Sequence, residues 1–263
     1  MLGKLLKHDL KWVYKLIIIF YILALIFAII GRGLISIENS IVFNILGQIS
    51  IGISISMAVS SLINCLMRAW VRFVRNLYKD EAYLTHTLPV NKKTIYLSKV
   101  LTTIITVFTT VAVILLCLLI CYGTKSNIES LKNILELAAN TYNTTVINLI
   151  LIISILMFIE LFFIVLIGYV GIILGHKFNN NRMVKSVIIG FAFYMLVQVI
   201  TLAIIYVIGL INPDVMNLVN TTENVDVNTI KILLYIAILI YSIYSVIFYF
   251  IGRNQLEKGV NVE

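Results

Sequence analysis

Residues 146–175 read VINLILIISILMFIELFFIVLIGYVGIILG, a run of about 30 residues whose one charge is Glu160. An α-helix rises about 1.5 Å per residue and the hydrocarbon core of a bilayer is about 30 Å thick, so about 20 apolar residues are enough to cross it. This run therefore reads as a membrane span. Similar runs lie at about 13–31, 41–67, 100–124, 187–211 and 232–252. Six spans make this an all-α membrane protein, read as a single membrane domain over residues 1–263. The composition agrees: 61% of the 263 residues are hydrophobic and 12% charged, where soluble domains average about 25% charged. The first run lacks a small-residue cleavage site and reads as a retained span rather than a signal peptide.

The net charge of +8 has its meaning in its distribution. Of the 20 Lys and Arg, all but Arg32, Lys125, Lys132 and Lys231 fall in segments 1–15, 68–99, 176–186 and 253–263. Those segments alternate across the spans, which is the positive-inside pattern with both termini cytoplasmic. The expected location is the cell membrane, with lipid contacts and no nucleic-acid partner. Residues 1–12 read as an interfacial amphipathic helix. Lys4, Lys7, Lys11 and Lys15 share one face, and Leu2, Leu5, Leu6, Leu10 and Val13 the other.

On the outer side, Ser126-Asn-Ile-Glu129 has capping-box spacing and predicts a short helix with Ile128, Leu131, Leu135 and Ala138 on one stripe. Residues 212–228 read as an acidic, polar loop. Asn143-Thr-Thr and Asn220-Thr-Thr match a glycosylation pattern that is common by chance. Cys65, Cys117 and Cys121 sit inside apolar runs and read as small core residues, neither disulfides nor metal ligands. The chain has no phosphate-cradling G-x-x-x-x-G-K-[ST], no H-E-x-x-H and no G-x-S-x-G, so no catalytic or metal site is expected.

The longest inner segment, 68–99, is the cytoplasmic connection between spans two and three. Continued as a helix, Arg68, Arg72, Arg75 and Lys79 share a face, and Trp70, Phe73, Leu77, Leu84 and Leu88 fall near the opposite one. Glu81 would then stand beside the apolar stripe, which is costly unless a partner or a bend resolves it. Pro89 should break the helix, Asn91 cap the next, and Lys92, Lys93 and Lys99 line its start.

The stretch DEAYLTHTLPVNK (80–92), followed by Ser98-Lys99, resembles the permease subunits of type 2 ABC exporters. It is most similar to a group of small bacterial permeases with a D-E-x-Y-L-T-x-T-L-P-V loop; Ala82 stands where that group has glycine. Gly175-His-Lys-Phe178 looks similar to the same group. The resemblance implies a coupling helix in which Asp80, Glu81, Tyr83, Leu84, Leu88 and Pro89 meet a separate ATPase subunit. That partner would hold ATP and Mg²⁺, with no cofactor in this chain. It also implies a homodimer or a heterodimer with a related permease. Arg72, Arg75 and Lys79 are expected to touch either lipid phosphates or the ATPase.

Span two carries Asn44, Gln48, Gly52, Ser56, Ser60 and Asn64 at every fourth position, a spacing that serves close helix packing or a substrate path. Tyr194, Gln198 and Thr201 of span five share a face and extend that candidate path. Glu160 costs roughly 2.5–3.5 kcal/mol to insert. It reads as protonated, bonded to Gln198, Thr201 or span-two amides, or facing a dimer seam. Two alternatives to an exporter permease stand beside it. One is an ion-coupled secondary transporter using Glu160 and the other a non-transporting membrane sensor or immunity protein.

Overall fold

The structure, a computed structural model, describes residues 1–37, 40–87, 89–211, 215 and 227–259. In a bilayer no water satisfies backbone amides, so the apolar runs close their hydrogen bonds internally as helices. Among the described residues there is no strand. Six helices among them are long and apolar enough to span a membrane: α1 (Leu2–Ile35), α2 (Ile41–Leu77), α4 (Lys92–Tyr122), α6 (Val146–Gly175), α7 (Arg182–Ile211) and α8 (Val227–Glu257). Two shorter helices, α3 (Ala82–Thr87) and α5 (Lys125–Thr141), lie between them. This is a multi-pass, all-α membrane fold. Side-chain caps set several starts: Ser40 accepts from the Phe43 amide, Asn91 from Lys93 and Thr145 from Asn148.

The chain was read as one membrane domain; it divides into two compact units, one holding α1 to α4 and the other α6 to α8, with the division inside α5 after Glu129. In the first unit the buried positions of α2 (Gly47, Ile51, Ser54, Ala58, Ser61, Cys65, Ala69) recur every three or four residues. They meet Val13, Ile17, Tyr21, Ala24, Ala28 and Gly31 of α1. Small residues are needed here because lipid supplies no hydrophobic drive between helices, leaving close packing and hydrogen bonds to do it. A Cβ on Gly31 would lie 3.0 Å from the Gly47 carbonyl oxygen, and the converse substitution is equally tight. Tyr21 and Thr110 join hydroxyls at 2.6 Å, and Ser54 Oγ donates to the Ala24 carbonyl at 2.7 Å. Cys117 and Cys121 pack among alanines and Ile51, as expected of core residues.

In the second unit the C-terminal half of α6 is largely buried and its first half largely exposed, apart from Leu149 and Ile152. Phe163 stacks against Tyr241, Tyr244 and Phe248 of α8 with centroids 5.5–5.9 Å apart. Gly175 lies so close to the Ser186 backbone that a Cβ there would collide with its amide nitrogen. His176 ends α6 with its Nδ1 near the Ile172 carbonyl and Ser186 Oγ.

Two local expectations change, and a third falls largely outside the described residues. No break separates residues 1–12 from span one: α1 is continuous, its lysines exposed and its opposite face turned onto α2 and α4. Thr124, not Ser126, caps α5, accepting from the Asn127 amide at 3.1 Å. Of the polar loop 212–228, positions 212–214 and 216–226 lie outside the described residues.

Candidate functional site

The segment between α2 and α4 does not continue α2. The helix ends at Leu77, and the chain turns through Tyr78–Glu81 into α3, with the Glu81 amide bonded to the Arg75 carbonyl and the Ala82 amide to that of Lys79. A regular helix would have left Glu81 on the apolar stripe. The turn instead folds its carboxylate back onto α2, where Glu81 Oε2 accepts from Arg72 Nη1 at 2.6 Å and Asn76 Nδ2 at 3.1 Å. The bend resolves the cost.

Arg72 is the hub. It is 2% exposed, and its Nε donates at 2.8 Å to Asp9 Oδ1 on α1, itself 2% exposed. Its Nη2 meets His8 Nδ1 at 2.9 Å, so this ring nitrogen is the acceptor and carries no proton. Lys99 of α4, 3% exposed, donates to the same Asp9 oxygen at 2.7 Å, and Ser98 Oγ to Oδ2 at 3.1 Å. Trp12 covers the cluster: the Arg68 guanidinium lies 4.2 Å and that of Arg72 5.3 Å from its ring, both within cation–π range. Two acids and two bases sum to zero, and hydrogen bonds reach both Asp9 oxygens and Glu81 Oε2, while Arg75 lies 3.4 Å from Oε1. Those are the conditions under which charges tolerate burial.

The consequence is mechanical. One guanidinium bridges the first turns of α1, the end of α2 and the α2–α3 turn, and Asp9 adds α4. Burial would raise the Glu81 carboxyl pKa, but the Arg72 charge and the hydrogen bonds from Arg72 and Asn76, with Arg75 nearby, hold it below the usual carboxylate value. His86 braces α3 through a 3.1 Å contact between Nε2 and the Leu77 carbonyl.

The residues singled out in this segment thus separate into two groups. Asp80, Tyr83 and Leu84 point outward, with Asp80's side chain 77% exposed and the residues Tyr83 and Leu84 76% and 73% exposed. Arg75, Lys79 and Pro89 are also exposed, and Arg75 lies 3.7 Å from Asp80 and 3.4 Å from Glu81. Glu81 and Arg72 turn inward. Arg72 is therefore corrected from a lipid or ATPase contact to an internal tie, because its donors are committed and its surface is gone. Leu88 lies outside the described residues.

The polar positions of the spans fare differently in each unit. Asn44, Gln48, Gly52 and Ser56 are exposed, off the packed face of α2, and Asn64 is half-buried. Gln48 bonds Asn44 at 3.1 Å, and Asn64 the Ser60 carbonyl at 2.9 Å. In the second unit Gln198 hydrogen-bonds Tyr241, and Thr201 Oγ1 lies 3.3 Å from the Tyr244 hydroxyl. Tyr194 is half-buried, and Glu160 is exposed on α6 with Tyr241 in its electrostatic reach. The sequence reading missed Asp9, His8, Asn76 and the burial of Lys99. Asp9 had a signal: it stands in the middle of the apolar face opposite the four lysines, where an unpaired carboxylate would be untenable.

Compared with known proteins, the chain matches no family model, no curated protein and no solved structure.

Proposed function

We propose that this chain is the membrane-spanning permease subunit of a type 2 ABC exporter, moving an amphipathic substrate with a separate ATPase subunit. The observation that carries the reading is the α2–α3 turn with α3: an outward tip of Asp80, Tyr83 and Leu84 on a mount that ion pairs tie to three spanning helices. An exposed aromatic–leucine pair flanked by an acid is costly to leave in water and suits a partner groove edged with basic groups. Force applied to that tip would reach α1, α2 and α4 together, as coupling to ATP hydrolysis requires.

On this reading the loop and both termini are cytoplasmic in the cell membrane, and ATP and Mg²⁺ belong to the partner. A second permease copy or a related permease completes the path. The substrate class is a drug, an antimicrobial peptide or a lipid-like molecule. The ion-coupled alternative rests on Glu160, exposed on α6 beside Tyr241. The test is a photoreactive side chain at Tyr83 or Leu84 in native cells, with the captured partner identified. Capture of an ATP-binding subunit, with ATPase stimulation lost in Leu84→Asp protein that still folds, is expected. Labelling of lipid alone overturns the reading.

A further inference from the structure

A cavity of about 670 Å³ opens at the start of α6, within the size range of small-ligand sites. Its polar lining is Asn140, Asn143, Thr144, Thr145, Asn148 and Lys231. Among the described residues three amides, two hydroxyls and one cation line it, and no acid does. Thr145 Oγ1 already accepts from the Asn148 amide. Asn143 holds a left-handed backbone, φ 43°, a conformation asparagine accepts more readily than most residues.

The lining selects an anion with several oxygens. Lys231 supplies a point charge, the amide groups can donate, and the first turn of α6 adds the positive end of its peptide dipoles. The cavity lies where two spanning helices begin, α6 at Val146 and α8 at Val227, which is headgroup depth for helices that cross a bilayer. Basic pockets among span ends suit lipid phosphates. Leading into it, α5 exposes Leu131 and Ile134, as a helix lying in the membrane interface would.

We propose that this cavity binds a phosphate ester, with the chemistry of a phospholipid headgroup. The site is independent of any ATP-driven role for the α2–α3 turn.

The test uses the full chain in detergent, with bound lipid counted by native mass spectrometry during titration with phosphatidylglycerol. One retained lipid is expected, its affinity falling about fivefold in Lys231→Gln. Asn143→Gly removes an amide while easing the backbone, and should weaken binding less with unchanged thermal stability. Inorganic phosphate that displaces the lipid at millimolar concentration supports a site for free phosphate. Lysine-dependent lipid retention without such displacement supports the headgroup. Equal phosphatidylglycerol binding by wild type and both variants, or equally tight binding of a neutral glycolipid, overturns the proposal.

Discussion

Asp9 and Glu160 are both carboxylates on helices long enough to span a membrane, and their surroundings differ. Asp9 is almost fully buried and receives donors from Arg72, Lys99 and Ser98. Glu160 is exposed on the first half of α6, with Tyr241 in its electrostatic reach and no ion pair among the described residues. The first acid is affordable inside protein because its charge is neutralised where it sits. The second has no such set of donors among the described residues, and an acid at that depth is costly to insert. Burial therefore marks the structural acid and exposure the one free to acquire another task.

That contrast can be broken from either side. The largest effect is expected for Asp9→Asn, which strands Arg72 and Lys99 in a buried site and should cost about 3–5 kcal/mol. Thermal unfolding in detergent measures it; a loss below about 1 kcal/mol would show that the bases reach water without their acid. Glu81→Gln comes next. Its side chain is 25% exposed and Arg72 keeps Asp9, so a discounted loss of about 1 kcal/mol is expected. Protease cutting within residues 78–91 should rise, and unchanged cutting would remove Glu81 from the mount.

Acidity offers a finer test of the same tie. A carboxylate whose folded pKa is lowered contributes its stabilisation fully above its unfolded value, about 4.3, and loses it as the pH falls through the folded pKa. Protease sensitivity of the α2–α3 turn should thus be flat from pH 7 to 5 and climb below about 4. The smallest effect is expected for Glu160→Gln, within about 0.5 kcal/mol of wild type. Intact folding with transport lost would give Glu160 a working role and reopen the ion-coupled alternative.

Much of the fold was legible because spans depend on local composition: 146–175 was bounded by its apolar run alone, and the Asn91 start followed from capping chemistry. The bend before α3 was foreseeable as a condition, since Glu81 could not stay on an apolar stripe. What could not be read was pairing at a distance. Arg72 carried the same signal as Arg75 and Lys79, a base near the inner face, and only an acid 63 positions earlier in the chain separates its fate from theirs. Likewise the fourfold spacing on α2 named a stripe but not the side that packs. The packed side was set by which residues let α1 approach, above all Gly47 opposite Gly31.

The shared oxygen of Asp9 also imposes a schedule on biogenesis. The acid leaves the ribosome first, but its two bases follow 63 and 90 residues later, after two further apolar segments have begun to insert. Until Lys99 arrives, the amino-terminal helix has no fully neutral seat, so the first three segments close as a late, joint event. Translation arrested before that lysine should leave an open bundle for membrane quality control to degrade.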